Sequence, residues 1–295
     1  MTRASEERLR ALNIWSGPVT LTPLKGGLSN ESFIVSDGAS RYVARLGEDF
    51  VVHHVSRARE REASRAAFEA GLSPELVHAE PGLMVFRFLE AVTYGEAEVR
   101  ANLERCVDLL KRCHRDMARL VRGPAAIFWV FHVVRDYAHT LKAGKHPRAD
   151  EAGEWIATVD RLEAAQIPLP IIFGHHDLLP GNFLDDGKRL WLIDWEYGGF
   201  GTCMFDLANV AANNSFIADD EARLLEVYFE RKPDEATQRS FDAMKAASAL
   251  REGMWGMVSE LHLSAPGVDY VAHANEYVGR YKNAVKRFTE KYGTL

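Results

Sequence analysis

The chain has little cysteine. Cys106, Cys113 and Cys203 are the only three in 295 residues. An odd, irregular set cannot form the disulfide framework that staples small secreted domains, and it fits a reducing compartment. Cys106 and Cys113 fall in one helical stretch, where their spacing puts them on a shared buried face. Long apolar runs are also missing. No segment approaches the roughly twenty apolar residues a spanning helix needs, so no membrane insertion is expected. The N-terminus, MTRASEERLR, is charged and has no apolar centre, which argues against a signal peptide. There is no basic excess either. Thirty-six Lys and Arg against 42 Asp and Glu give a net charge of −6, which argues against nonspecific nucleic-acid binding. Internal repeats and low-complexity tracts are absent. These absences leave a cytoplasmic globular protein of one large domain or two lobes; a monomer or homodimer with a small-molecule partner is the expectation.

What the sequence does have is concentrated at 171–209. A short apolar strand at 170–173 leads into H-H-D-L-L-P-G-N (175–182). A second apolar strand, 190–193, ends on Asp194. The turn Asp185-Asp186-Gly187-Lys188 signals a hairpin. Joined as a ribbon, the two strands bring Asp177, Asn182 and Asp194 to one end. One carboxylate can then accept the proton of an attacking hydroxyl, while an amide oxygen and a second carboxylate hold magnesium against nucleotide phosphates. The spacing matches the protein-kinase catalytic loop H-x-D-x-x-x-x-N followed by a strand and a metal-binding Asp. His175 takes the place of the loop His. A hairpin with acidic turn residues is the plain alternative, and a metal-hydrolase reading of His175-His176-Asp177 lacks a third well-spaced ligand.

Upstream, a short amphipathic helix is predicted over 2–14 and strands over 19–24, 31–35 and 41–46. The turn Gly26-Gly27-Leu28-Ser29-Asn30 is rich in small residues, so its backbone N–H groups can approach phosphates. Arg45 is a cation in an otherwise apolar strand, and such a cation needs a partner. The next helix, 57–70, offers two acids. Glu60 lies on its inward stripe with Ala63 and Ala67, while Glu62 lies beside Arg65 and Glu69, so Glu60 is favoured. Strands at 76–79 and 83–89 follow. The second runs into a hinge where main-chain groups around Arg87 and Leu89 would hold an adenine. Helices are predicted over 96–118, 126–143, 149–165, 203–215, 218–231, 235–262 and 268–291. His114 falls on the inner face of the first of these and reads as a packing or capping residue. The fold class is α+β, with a small β-rich lobe (1–89) that binds nucleotide and a larger, mostly helical lobe (90–295).

G-G-L-S-N at 26–30, H-H-D-L-L-P-G-N at 175–182, I-D-W-E-Y at 193–197 and F-D-L-A-N at 205–209 resemble the choline/ethanolamine kinase family, within the aminoglycoside-phosphotransferase and protein-kinase-like group. The resemblance runs from Leu24 to Tyr281. It implies a two-lobed protein-kinase-like fold and an ATP- and magnesium-dependent phosphotransferase. Asp177 would be the catalytic base, Asn182 and Asp194 the magnesium ligands, and Arg45 the substitute for the strand lysine. His175 would brace the loop, the 26–30 turn would cover the phosphates, and Asp206 would pin the loop through its backbone.

The acceptor is read from aromatics and acids, since a quaternary ammonium is held by π-faces and carboxylates. Trp255 in M-W-G-M and Tyr270 in D-Y-V-A-H-A resemble the family's choline-lining motifs, with Tyr197 and the acids Asp177, Glu196 and Glu252 beside them. Val258, His273 and Asn213 depart from the pattern where relatives carry a Trp, a Tyr and an acid, and His176 departs in the loop. Choline or a related amino alcohol leads. Ethanolamine, thiamine, an aminoglycoside or a catalytically dead nucleotide-binding scaffold stay open.

Overall fold

A computed structural model describes residues 3–24, 30–264 and 267–293. Gly26, Gly27, Leu28 and Ser29 of the phosphate-covering turn lie outside the described residues; Asn30 lies within them, just ahead of the second strand.

The N-terminal part is an antiparallel sheet of β1 (Thr20–Leu24), β2 (Glu31–Ser36), β3 (Arg41–Leu46), β4 (Leu76–Glu80) and β5 (Leu83–Arg87), in the order β1-β2-β3-β5-β4. Alternation decides its two faces. Phe33 and Val35 point the same way as Tyr42, Ala44 and Leu46, and this apolar face packs on Leu9 of α1 (Arg3–Arg10). Arg45 therefore projects from the opposite face. The Asp37-Gly38 turn between β2 and β3 closes as expected, with Gly38 at φ +86° and the Asp37 carboxylate accepting from Ala39 N and Ser40 N at 3.1 and 2.8 Å.

This face and α1 form a small core of their own. The helix α2 (Arg57–Glu69) belongs elsewhere. Its Ala63, Ala66 and Ala67 pack into the larger core formed by the rest of the chain. The first acid pair thus rides on an element anchored in the C-terminal part.

That part begins with β6 (Val92–Thr93), α3 (Glu96–Ala101), α4 (Leu103–Leu120), α5 (Val130–Ala143) and α6 (Ala152–Ala164). The helix predicted over 96–118 breaks at Asn102, whose side chain donates to Glu98 O at 2.9 Å and ends the first turns. The helix predicted from 126 starts at Val130, because 126–128 runs extended alongside Phe200. Next come β7 (Ile171–Gly174), β8 (Phe183–Asp185), β9 (Leu190–Leu192) and β10 (Gly199–Thr202). Helices α7 (Cys203–Asn213), α8 (Ala218–Phe229), α9 (Glu235–His262) and α10 (Tyr270–Tyr292) finish the fold, with α9 against α5, α6, α7 and α10.

The expected ribbon needs a correction. The 185–188 turn joins β8 to β9, and β7 pairs antiparallel with β10 instead. β10, with the sequence Gly-Phe-Gly-Thr, was not legible as a strand, because glycines carry no β-signal. The convergence survives by another route. Asn182 immediately precedes β8 and Asp194 follows β9, so both sit at the open end of one hairpin, and Asp177 reaches them on the loop after β7.

No helix among the described residues is long and apolar enough to cross a membrane. The three cysteines are buried and unpaired. Leu9 tests the independence of the small core. Leu9→Ala should lower stability by about 2–5 kcal/mol, the usual cost of emptying a fully buried leucine site. An unchanged urea midpoint would show that α1 is not part of the folded sheet.

Candidate functional site

The loop after β7 cannot hold itself. It places His176 at φ +65°, in the left-handed region that non-glycine residues seldom adopt. Helix α7 supplies the restraint. Asp206, with no exposed surface, accepts from His175 N at 2.9 Å through one oxygen and from His176 N at 2.8 Å through the other. His114 on α4 meets the same carboxylate at 2.9 Å and meets the Tyr228 hydroxyl with its other nitrogen at 2.7 Å. Burial would raise the Asp206 carboxyl, but His176, His114 and the backbone donor outweigh it and hold the group below its ordinary range. One turn along α7, Asn209 Oδ1 accepts from Leu178 N at 2.6 Å.

His175 works from the other side. Its Nε2 meets Ile193 O at 2.9 Å, and its Nδ1 accepts from Asp177 N at 3.2 Å. A carbonyl only accepts and a backbone N–H only donates, so the proton is on Nε2. Burial lowers the affinity of this ring for a second proton. His175 is thus a neutral strut between the Asp177 loop and the residue before Asp194.

His176 does not point into the cleft. Its ring is fully buried and stacks on Phe128 at 4.5 Å, with Nδ1 3.2 Å from Tyr197 O. Gly174 makes this possible, because a Cβ there would stand 2.5 Å from His176 Nε2.

Asn182 donates from Nδ2 to Asp177 O at 2.7 Å and lies 3.4 Å from Asp177 Oδ2. With the nitrogen committed to the loop, the amide oxygen is the atom left to act as a ligand. Asp194 is also left-handed, at φ +69°, and Arg45 Nη2 meets its Oδ1 at 2.7 Å. Arg45 Nη1 lies 3.3 Å from Glu60 Oε1, so Glu60 is the partner of Arg45, while Glu62 faces Arg65 at 2.6 Å. The chain of charges continues. Arg57 Nη1 meets Glu60 Oε2 at 2.5 Å and Glu196 Oε2 at 2.9 Å. Burial and the Asp194 charge push Glu196 up to about 7. Carboxylate oxygens of Glu60, Asp194 and Glu196 lie within 4.8 Å of one another. With the Asn182 oxygen they offer hard donors of the kind magnesium takes, so the residues present fit that ion.

Asp177 opens onto a second group of side chains. Burial, then the charge of Glu252, pushes its carboxyl well above the usual range. Glu252 is gripped by Arg251 Nη1 at 2.7 Å and by His273 Nε2 at 3.2 Å. Trp255 Nε1 donates to the Tyr197 hydroxyl at 3.1 Å. One face of Trp255 is stacked by His53 at 5.1 Å, and Tyr270 and His273 close in at 6.1 and 5.6 Å. His53 bridges Tyr137 and Ser259, each at 3.0 Å, and burial drops it to about 3, so the ring is neutral.

Most of the expected site residues converge here: Asp177, His175, Asn182, Asp194, Arg45, Glu60, Glu196, Tyr197, Trp255 and Tyr270, with Asp206 behind them. Arg87 does not. Its side chain meets Glu75 at 3.2 Å and covers the Tyr42 ring at 4.9 Å, leaving only main chain, as at half-buried Leu89, for a nucleotide. Sequence reasoning missed His53, Arg57, Asn209 and Arg251, and gave His114 only a packing or capping role. The signal for His114 was a polar residue on an apolar helix stripe; for Asn209, its place one turn after Asp206.

Residues 20–241 match the model of the phosphotransferase enzyme family. The chain belongs to that family. A curated relative, protein LicA of Haemophilus influenzae, is 25% identical over 210 residues, covering 69% of this chain and 61% of the relative. The chain thus spans less than two thirds of that relative's length. A choline/ethanolamine kinase family protein from Mesorhizobium loti is 29% identical, with a TM-score of 0.76, over 97% of this chain and 96% of the other. The choline kinase LicA from Streptococcus pneumoniae shares the fold at a TM-score of 0.78, covering 98% of each chain at 21% identity. The fold is accordingly protein-kinase-like.

Asp206 is the residue on which this geometry is tested. Asp206→Asn puts an N–H against one of the two loop N–H groups. Turnover should fall by about 100-fold, the scale of an ångström-sized misplacement, with the circular dichroism spectrum retained. Wild-type turnover in this variant would exclude Asp206 as the loop's restraint.

Proposed function

We propose that this enzyme transfers the γ-phosphoryl group of ATP to the hydroxyl of choline or a related small amino alcohol, with magnesium bound between the two lobes. The observation that carries this reading is the place of Asp177 between two groups. Asn182 holds Asp177 and accepts from Ile193 N beside Asp194, and the charges of Glu252 and Asp194 both act on the Asp177 carboxyl.

In this reading, residues 1–89 bind the nucleotide and 90–295 supply the loop and the acceptor pocket. Asp177 orients the acceptor hydroxyl and takes its proton as the oxygen–phosphorus bond forms and ADP leaves. A cation arriving beside Asp177 favours the charged carboxylate, which burial otherwise disfavours. Arg45, held by Glu60, faces the phosphates. Asn182 and Asp194 would hold magnesium, with Glu60 and Glu196 close by; bound there, the ion offsets charge on the phosphate oxygens. His175 keeps Asp177 and Asp194 in register.

An aminoglycoside acceptor is less well served. Glu260, Asp269 and Glu276, the next acids after Glu252 in the chain, engage His146, the first turn of α10 and Arg280. The reaction belongs in the cytoplasm, where ATP is present and the free cysteines stay reduced.

Asp177→Ala should cut turnover by about 10²–10⁴-fold, the span of a general base, while nucleotide affinity by calorimetry changes little. Near-normal turnover would remove Asp177 from the chemistry. An ATP-consumption screen over choline, ethanolamine, thiamine and kanamycin should give turnover with an amino alcohol and none with kanamycin. ATP binding without turnover on any alcohol would point to a nucleotide-binding scaffold. Chelation should abolish activity and magnesium restore it, whereas Asp194→Ala should stay inactive at any magnesium concentration.

A further inference from the structure

Arg251 has no part in the reaction as described, yet it is among the largest side chains wholly buried in the protein, with 2% of its surface exposed. It stands on α9 immediately before Glu252. Its Nη1 donates to Glu252 Oε2 at 2.7 Å, and its guanidinium covers the Tyr197 ring at 4.4 Å. The remaining nitrogens, Nε and Nη2, are buried and have no hydrogen-bond partner. These two form one edge of the guanidinium, with parallel N–H bonds at the separation of two carboxylate oxygens. A buried donor left unmade is costly, and more so on a cation. An edge of this kind is kept where something fills it.

Its surroundings say what. The ionisable groups acting most strongly on Arg251 are Glu252, Tyr197, Tyr137 and Asp177, the last being the proposed base. Glu252 already serves Arg251 and His273, and Trp255 has one face stacked by His53, with Tyr270 and His273 also close to its ring. The pocket instead offers a carboxylate base, a buried cation with an open fork, and a phenol, Tyr270, whose hydroxyl is buried without a partner.

We propose that the Nε–Nη2 edge of Arg251 binds a carboxylate on the acceptor, so that the substrate is a short hydroxy-amino acid rather than a purely cationic alcohol. This rests on the amino-alcohol kinase reading and narrows it. The amine and hydroxyl lie toward Asp177, and the carboxylate pairs side-on with Arg251.

The test compares acceptors that differ only in the carboxylate: L-serine against ethanolamine, and L-homoserine against 3-amino-1-propanol. Turnover is measured with ATP and magnesium. Binding is measured by calorimetry with a non-hydrolysable ATP analogue, so that it is read independently of turnover. The carboxylated member of a pair should be preferred at least about 10-fold by the full-length wild-type enzyme. Arg251→Lys keeps the charge and the reach to Glu252 but loses the fork. It should bring that preference to near parity, a loss of about 10-fold or more, because the paired N–H donors are gone, with the KM for ATP within about twofold of wild type. Should Arg251→Lys not fold, the wild-type preference alone decides.

Preference for the uncarboxylated alcohols, or equal ratios in wild type and Arg251→Lys, would overturn the proposal. Arg251 would then be a brace for Glu252 with water on its open edge, and the amino-alcohol reading would stand. A binding preference for the carboxylated members that Arg251→Lys abolishes, without turnover on any alcohol, would support the Arg251 site and sink the kinase reading of the acceptor.

Discussion

One buried carboxylate decides whether this protein has an active site. Asp206 holds two successive backbone N–H groups of a loop that would otherwise relax out of its left-handed turn. Removing a carboxylate from water is expensive, and the cost is met only because both oxygens are saturated and His114 adds a third partner. The position of Asp177 follows from that arrangement. So do the stack of His176 on Phe128 and the pairing of β7 with the glycine-bearing β10, which leaves room for the His176 ring.

The second constraint is the alternating chain Asp194, Arg45, Glu60, Arg57, Glu196. It links the sheet, α2 and the segment after β9. Buried ion pairs contribute little net stability compared with apolar packing. What they supply is registry between parts with separate hydrophobic cores. Because α2 packs with the larger core, Glu60 carries the position of that core to Arg45, and Arg45 carries it to the sheet.

Much of this was legible in the residues. A cation in an apolar strand called for a partner, and helical periodicity favoured Glu60 over Glu62; the two contacts formed are Arg45–Glu60 and Glu62–Arg65. The convergence of Asp177, Asn182 and Asp194 was also readable, although by the wrong strand pairing. Two three-residue strands and one rich in glycine carry too few side chains for their partners to be chosen locally. His53 and Arg251 were out of reach. A histidine in a short turn and an arginine in a long helix look solvated until the chain closes over them.

The sequence by itself determined the reaction type and the side chains that could serve it, because phosphoryl transfer needs a base, hard oxygen ligands and a cation at spacings that local structure already sets. The tertiary structure alone decided where those groups point and what surrounds them. It turned His176 inward, committed the nitrogen of Asn182, closed a face of Trp255 with a histidine roughly two hundred residues away, and buried Arg251 with one edge open. Each of these depends on contacts between distant segments and on the loss of water around them, and neither is encoded in any single stretch of the chain.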